Sequence, residues 1–178
     1  MKGFRSLVVL KRPRQDLWTI MRDHLMEFAS QIGDIDQIRQ LGRTEEQDGL
    51  VRIINEWRVR QQVPITLRPV LKTDEFRWID HNTWDPSSCT CSWSIEPAFL
   101  SEFIACSGET SFAPAMGGQG TRVSFTGMLD LKPGWLNLPG GAEPVVSGFV
   151  EAIVTTVIPR NLRAVAEAAA AFALPTDG

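Results

Sequence analysis

Along much of the chain, apolar and polar positions alternate with a period of two. The clearest case is Gly49 to Arg60, where Val51, Ile53, Asn55, Trp57 and Val59 share one parity and Arg52, Glu56, Arg58 and Arg60 mark the other. One apolar and one solvated face is the mark of a strand in an antiparallel sheet rather than a βαβ one. Cys89 to Pro97 repeats the pattern, with Cys89, Cys91, Trp93 and Ile95 against Thr90, Ser92, Ser94 and Glu96. So does the next such segment, with Val123, Phe125, Leu129 and Leu131 against Arg122, Ser124, Thr126 and Asp130. Phe4 to Leu10 is a further strand, and the period of two begins again at Ile35. Phe76 to Trp84 and Glu102 to Phe112 also predict strands, although their parities are mixed. The residues from Ala115 to Gly120 tolerate positive φ and predict a hairpin turn.

Two stretches keep a helical period instead. Leu17, Trp18, Met21, Leu25, Phe28 and Ile32 form one stripe, with Pro13 suited to the first turn and Gly33 to the stop, and His24 falls between core positions. The last element runs from about Pro144 to Ala173 on the stripe Val146, Phe149, Val150, Ile153, Val157 and Ile158, continued by Leu162, Val165 and the alanines. Pro159 should kink it. Gln61 to Glu75, with Pro64 and Pro69, is too irregular for a central strand and predicts a lid or short helix, while Asp130 to Glu143 predicts a loop.

At 178 residues the chain predicts a single domain, residues 1–178, with the last few residues disordered. Eighteen Lys and Arg against 21 Asp and Glu give a net charge of −3, which leaves no strong positive field to recruit a phosphate backbone, so no nucleic-acid partner is expected. Three cysteines, an odd number, argue against a disulfide framework and predict a reducing, cytoplasmic location. Glu151, Pro159, Arg160, Asn161, Arg163 and Glu167 interrupt the longest apolar stretch, so no stable membrane span is expected.

The order is strand, helix, about six antiparallel strands and a long C-terminal helix. It resembles the START-like, or SRPBCC, superfamily of helix-grip domains, which includes polyketide cyclases, lipid-transfer domains and plant pathogenesis-related allergens. The opening strand followed by Pro13-Arg14-Gln15-Asp16-Leu17-Trp18 carries part of the resemblance. Glu46-Gln47-Asp48-Gly49 before the Trp57 strand, Gly120-Thr121-Arg122-Val123-Ser124-Phe125-Thr126-Gly127 and the long last helix carry the rest. The fold class implied is α+β, with a curved antiparallel sheet of six or seven strands wrapped round the last helix. The resemblance also implies an internal cavity for a hydrophobic or amphipathic small molecule. Parity then names Val51, Ile53, Asn55, Trp57, Cys91, Trp93, Ile95 and Phe125 as its wall on the sheet, with Asp80 and Asn82 if the aromatic parity of their strand faces in, and the helical stripe adds Phe149 and Ile153.

Candidate chemistry is sparse, and no catalytic residue is assigned. Cys89, Cys91 and Cys106 have only His24 and His81 to complete a zinc site and no CxxC spacing, so no metal or other cofactor is expected. There is no Gly-x-Ser-x-Gly elbow and no Walker sequence. Asp80, His81, Asn82 and Asp85 cluster between Trp78 and Trp84. They read either as acid/base groups or as a solvated strand, and His81 enters the interior only if the Ile79 parity does. Asn55 serves either ligand orientation or core hydrogen bonding. Trp135, between Gly134 and Leu136, lies in a loop that either packs over the sheet edge or forms a mouth that touches a membrane, transiently, or a partner. With residues 61–75 it is expected to control entry. The leading expectation is a carrier or sensor, the alternatives being a polyketide cyclase/aromatase and a co-chaperone-like interaction module.

Overall fold

The computed structural model describes residues 2–132 and 143–175. Its strands are β1 (Lys2–Leu10), β2 (Ile35–Glu45), β3 (Val51–Val59), β4 (Arg77–Asp85), β5 (Thr90–Pro97), β6 (Ile104–Ala115) and β7 (Gly120–Leu131). All pair antiparallel in the order β1-β7-β6-β5-β4-β3-β2. Strands β2 to β7 form a meander, and β1 closes against β7, so the chain crosses from one edge of the sheet to the other between β1 and β2. It does so through α1 (Arg14–Asp23) and α2 (Leu25–Phe28). A last long helix lies on the apolar face of the curved sheet, giving the α+β helix-grip arrangement.

The alternation of β3 holds residue by residue: Val51, Ile53, Asn55, Trp57 and Val59 are buried, while Arg52 and Arg58 are exposed. In β4 the Trp78 and Trp84 parity faces inward. Cys89 departs from expectation, for β5 begins at Thr90 and Cys89 sits in the preceding turn with φ 55°. The β6–β7 turn uses positive φ at Met116, Gly117 and Gly118.

The first helix is not continuous. Its backbone breaks at His24 (φ −116°, ψ 12°), and Pro13 stands just before the first turn rather than in it. The apolar stripe continues across the break, which is why spacing alone predicts one helix. Trp18 fills the end of the concave face, edge-on to Trp84 at 5.0 Å and to Phe112 at 5.5 Å. Within residues 61–75 a short helix, α3 (Arg68–Leu71), forms, and Val63, Leu67 and Leu71 are buried.

The final helix comprises α4 (Glu143–Ala152), a π-helical turn (Ile153–Val157) and α5 (Ile158–Ala171). Pro159 lacks an N–H and its ring crowds the carbonyl four residues earlier. The wider turn just before it relieves that conflict. The Thr155 hydroxyl donates to the Glu151 carbonyl at 2.8 Å within this stretch. Pro144–Ala171 is long and apolar enough to cross a membrane by length and composition. Val146, Val150, Val154, Ile158 and Val165 on it are buried, Phe149, Ile153, Val157 and Leu162 are half-buried, and Val145 is exposed.

Arg12 fastens the end of α5, donating to the carbonyls of Phe172 at 2.8 Å and Ala170 at 3.4 Å, while the Thr121 hydroxyl donates to the Arg12 carbonyl at 2.7 Å. These last carbonyls have no intrahelical partner. Arg12→Ala is therefore expected to lower stability by about 1–2 kcal/mol in urea unfolding. An unchanged midpoint would show that the end of α5 is held by packing alone.

Candidate functional site

An apolar cavity lies between the sheet and the first half of α5. The space open to the centres of water-sized molecules is about 80 Å³, several times the roughly 10–15 Å³ that one water needs. Sheet alternation sets one wall: Ile53, Asn55 and Trp57 from β3, Asp80 and Asn82 from β4, Cys91, Trp93 and Ile95 from β5, and Phe125 from β7. Trp78, Trp84 and Thr110 complete it. The helix contributes Ile158, Asn161, Leu162 and Val165.

Three residues expected in the wall stand elsewhere. Val51 is buried in the core beside Trp84, its partner in register, and does not line the cavity. Phe149 lies by Phe76 and Phe99, and Ile153 faces a smaller apolar space of about 30 Å³ that shares Trp78, Ile95 and Ile158 with the main one. Helical period shows which side of the last helix faces the sheet, but not how far along it the hollow falls. The hollow sits one to two turns beyond the π-helical turn.

The cavity meets solvent between α1, α2 and β2, where Asp23, Met26 and Gln40 are exposed. No residue of 61–75 lines it; Gln61 and Gln62 border a separate space against Phe149 and Val157. The expectation for Trp135 lies outside the described residues. At the rim, Asp23 accepts from Arg22 at 2.7 and 2.9 Å and from Arg43 at 2.8 Å. Burial alone would raise its pKa, but these two guanidiniums overcome that and hold the carboxyl below its ordinary range.

The polar cluster of β4 divides by parity. Asp80 and Asn82 face the cavity, whereas His81 is on the opposite face, 3.7 Å from Glu96, and Asp85 accepts from the Ser87 and Ser88 hydroxyls in the β4–β5 turn. Burial raises the Asp80 pKa to about 6, outweighing the opposing effect of nearby Asn82, Trp57 and Asn55. The Asn55 backbone N–H donates to Asp80 Oδ1 at 3.1 Å. Cys91 Sγ donates to Asn82 Oδ1 at 3.6 Å, and burial pushes that thiol well above its usual range, so it is neutral. The three cysteines are free, and among the described residues no three His, Cys, Asp or Glu side chains gather as metal ligands.

Trp78, Trp84, Thr110, Ile158, Asn161, Leu162 and Val165 line the cavity without having been named in its expected wall, and Asn161 is the one of them with an amide. It interrupts an apolar stretch, yet it falls three residues after Ile158 and four before Val165, on the buried stripe of α5. That register is the signal that marks it as an interior amide.

No protein-family model matches the chain, and no curated protein sequence matches it. Solved structures do. A crystal structure of TTHA0849 from Thermus thermophilus is 18% identical with a TM-score of 0.65, covering 96% of this chain and 98% of that one. The Zhui aromatase/cyclase of a Streptomyces species is 14% identical with a TM-score of 0.60, covering 96% and 92%. Norcoclaurine synthase from Thalictrum flavum is 14% identical with a TM-score of 0.58, covering 96% and 84%. At these identities the likeness establishes a shared START-like, SRPBCC-type fold.

Proposed function

We propose that the chain binds a hydrophobic small molecule carrying a polar group, as a carrier or sensor, in the cavity between the sheet and α5. One observation carries this reading. Among the described residues, Asn55 Oδ1, Trp93 Nε1, and Asn161 Nδ2 and Oδ1 are buried side-chain polar atoms without a hydrogen-bond partner in the protein, while the Trp57 N–H, also without a close bond, lies near enough to the Asp80 carboxyl to lower its pKa. All belong to residues lining this one cavity. Buried polar groups are ordinarily paired, and a pocket with apolar walls and a few convergent polar groups suits such a ligand. Ile53, Trp57, Trp93, Ile95, Phe125 and Leu162 would hold its apolar body, and Asn55, Asp80, Asn82 and Asn161 its polar group. Three free, buried thiols support a reducing compartment such as the cytoplasm.

A second reading, a cyclase-type enzyme, draws on Asp80. A carboxyl with a pKa of about 6 inside an apolar cavity suits proton transfer near neutral pH. Turnover of a polyketide substrate, lost in Asp80→Asn, separates an enzyme from a carrier.

Asn161→Leu tests the binding reading. It removes two unpaired buried atoms, so stability should rise by about 1–2 kcal/mol. Affinity for 4-phenylbutan-1-ol, measured by calorimetry, should fall several-fold. Equal affinity in variant and wild type, or no binding by either at millimolar concentration, would overturn the reading.

A further inference from the structure

Asp80 is a half-buried carboxyl group in the wall of an aromatic cavity, and among the described residues no cation answers it. Among the described residues, no Lys, Arg or His forms an ion pair with it. Few charged groups face it. From α1 there are Arg22 and Asp23, which bond to each other at the rim. From β5 there is the neutral Cys91 thiol; β2, β3, β6 and α5 present Gln40, Asn55, Thr110 and Asn161, none charged.

Two further features point to the missing partner. Asn55 stands opposite Asp80 in register, and its Oδ1 is buried without a donor, so an unanswered amide oxygen lies beside a carboxyl that accepts from neutral groups, the Asn55 backbone N–H among them, but pairs with no cation. The rings of Trp57, Trp78, Trp84 and Trp93 line the same space. Indole is the aromatic group that attracts a cation best, and a buried carboxylate is stabilised chiefly by an opposite charge.

We propose that the ligand of this cavity is a hydrophobic amine, its ammonium group paired with Asp80 and accepted by Asn55 Oδ1, its apolar body lying against the indole rings. The proposal rests on the binding reading above and narrows its ligand class. An anionic ligand is the opposite case: it would meet the Asp80 charge, with the one cavity-lining guanidinium, Arg22, already committed to Asp23.

The test is calorimetric titration of the whole chain with three probes of one skeleton: 4-phenylbutylamine, 4-phenylbutan-1-ol and 4-phenylbutyrate. At pH 8 the amine should bind at least about tenfold more tightly than the alcohol, with the carboxylate weakest. The amine's advantage should shrink at pH 5, where Asp80 is protonated, and vanish in Asp80→Asn. If the alcohol or the carboxylate binds as tightly as the amine at pH 8, the amine proposal falls and the cavity reading stands. The same follows if Asp80→Asn keeps the preference. If none of the three binds wild type at millimolar concentration, both fall. Should Asp80→Asn fail to fold, the comparison of pH 5 with pH 8 on wild type decides, because the alcohol has no charge to lose.

Discussion

Gly108→Ala should destabilise the chain by about 3 kcal/mol or more, against the ordinary rule that glycine weakens a strand relative to alanine. A Cβ at this position of β6 would stand 2.1 Å from the Thr126 carbonyl oxygen and 2.4 Å from Cζ2 of Trp93. The carbonyl belongs to the backbone of β7, so it cannot yield without opening the β6–β7 ladder. Gly108 pairs with Gly127, where a Cβ would meet the Phe4 ring at 2.4 Å and Trp93 Cη2 at 2.7 Å. The two facing glycines thus let the Trp93 indole lie flat on the sheet, stacked with Phe4 at a centroid distance of 6.0 Å. Loss of stability in urea should come with an altered near-ultraviolet circular dichroism signal as Trp93 leaves the cavity wall. A variant within about 0.5 kcal/mol of wild type would contradict this account of the wall.

Asp80→Asn should act in the other direction and make the chain more stable at neutral pH. The folded-state pKa of about 6 exceeds the ordinary 3.8. Between those values the folded chain keeps a proton that the unfolded chain has released, so this group's contribution makes stability fall as pH rises through the window. Above about pH 6 the cost is complete, and two pKa units correspond to about 3 kcal/mol. Asn retains an oxygen to accept from the Asn55 backbone N–H but carries no charge. Urea unfolding of both proteins from pH 4 to 8 should give curves that converge near pH 4 and separate by up to about 3 kcal/mol at pH 7. Asp23, whose pKa is lowered, contributes with the opposite sign in both proteins and cancels in the difference. A variant less stable than wild type at pH 7 would mean that Asp80 is held by bonds stronger than its desolvation. A gain of this size on removing a carboxylate is what a group kept for binding or chemistry rather than for folding would show.

How legible the molecule was in its sequence differs from strand to strand. In β3 every inward residue is apolar or Asn55 and most outward ones are charged, so parity alone orients the strand. In β4, Trp78 and Ile79 are adjacent and both apolar. Only pairing with β3 and β5 decides that Asp80 enters while His81 does not. The break at His24 was hidden because Leu25 and Phe28 continue the stripe of α1 across it. On the sheet side of the site, the inward faces of β3 and β5 were legible from their alternation, though parity did not show that Val51 lies beyond the cavity. The helix side was not, because Ile153 and Ile158 share one apolar stripe and only the tertiary fit places the hollow beside Ile158, Asn161 and Leu162. The rim is likewise a tertiary product, bringing α1, α2 and β2 together from separate parts of the chain.

A small hydrophobic molecule is expected to enter the space between sheet and α5. Methyl-resolved NMR of the whole chain during titration with 4-phenylbutylamine tests it most directly. Shifts and intermolecular contacts should concentrate on Ile53, Ile95, Ile158, Leu162 and Val165, which line the cavity. Saturable shifts confined to the exposed Leu7, Val9 and Met128 on the outer face, with the cavity methyls unmoved, would contradict it.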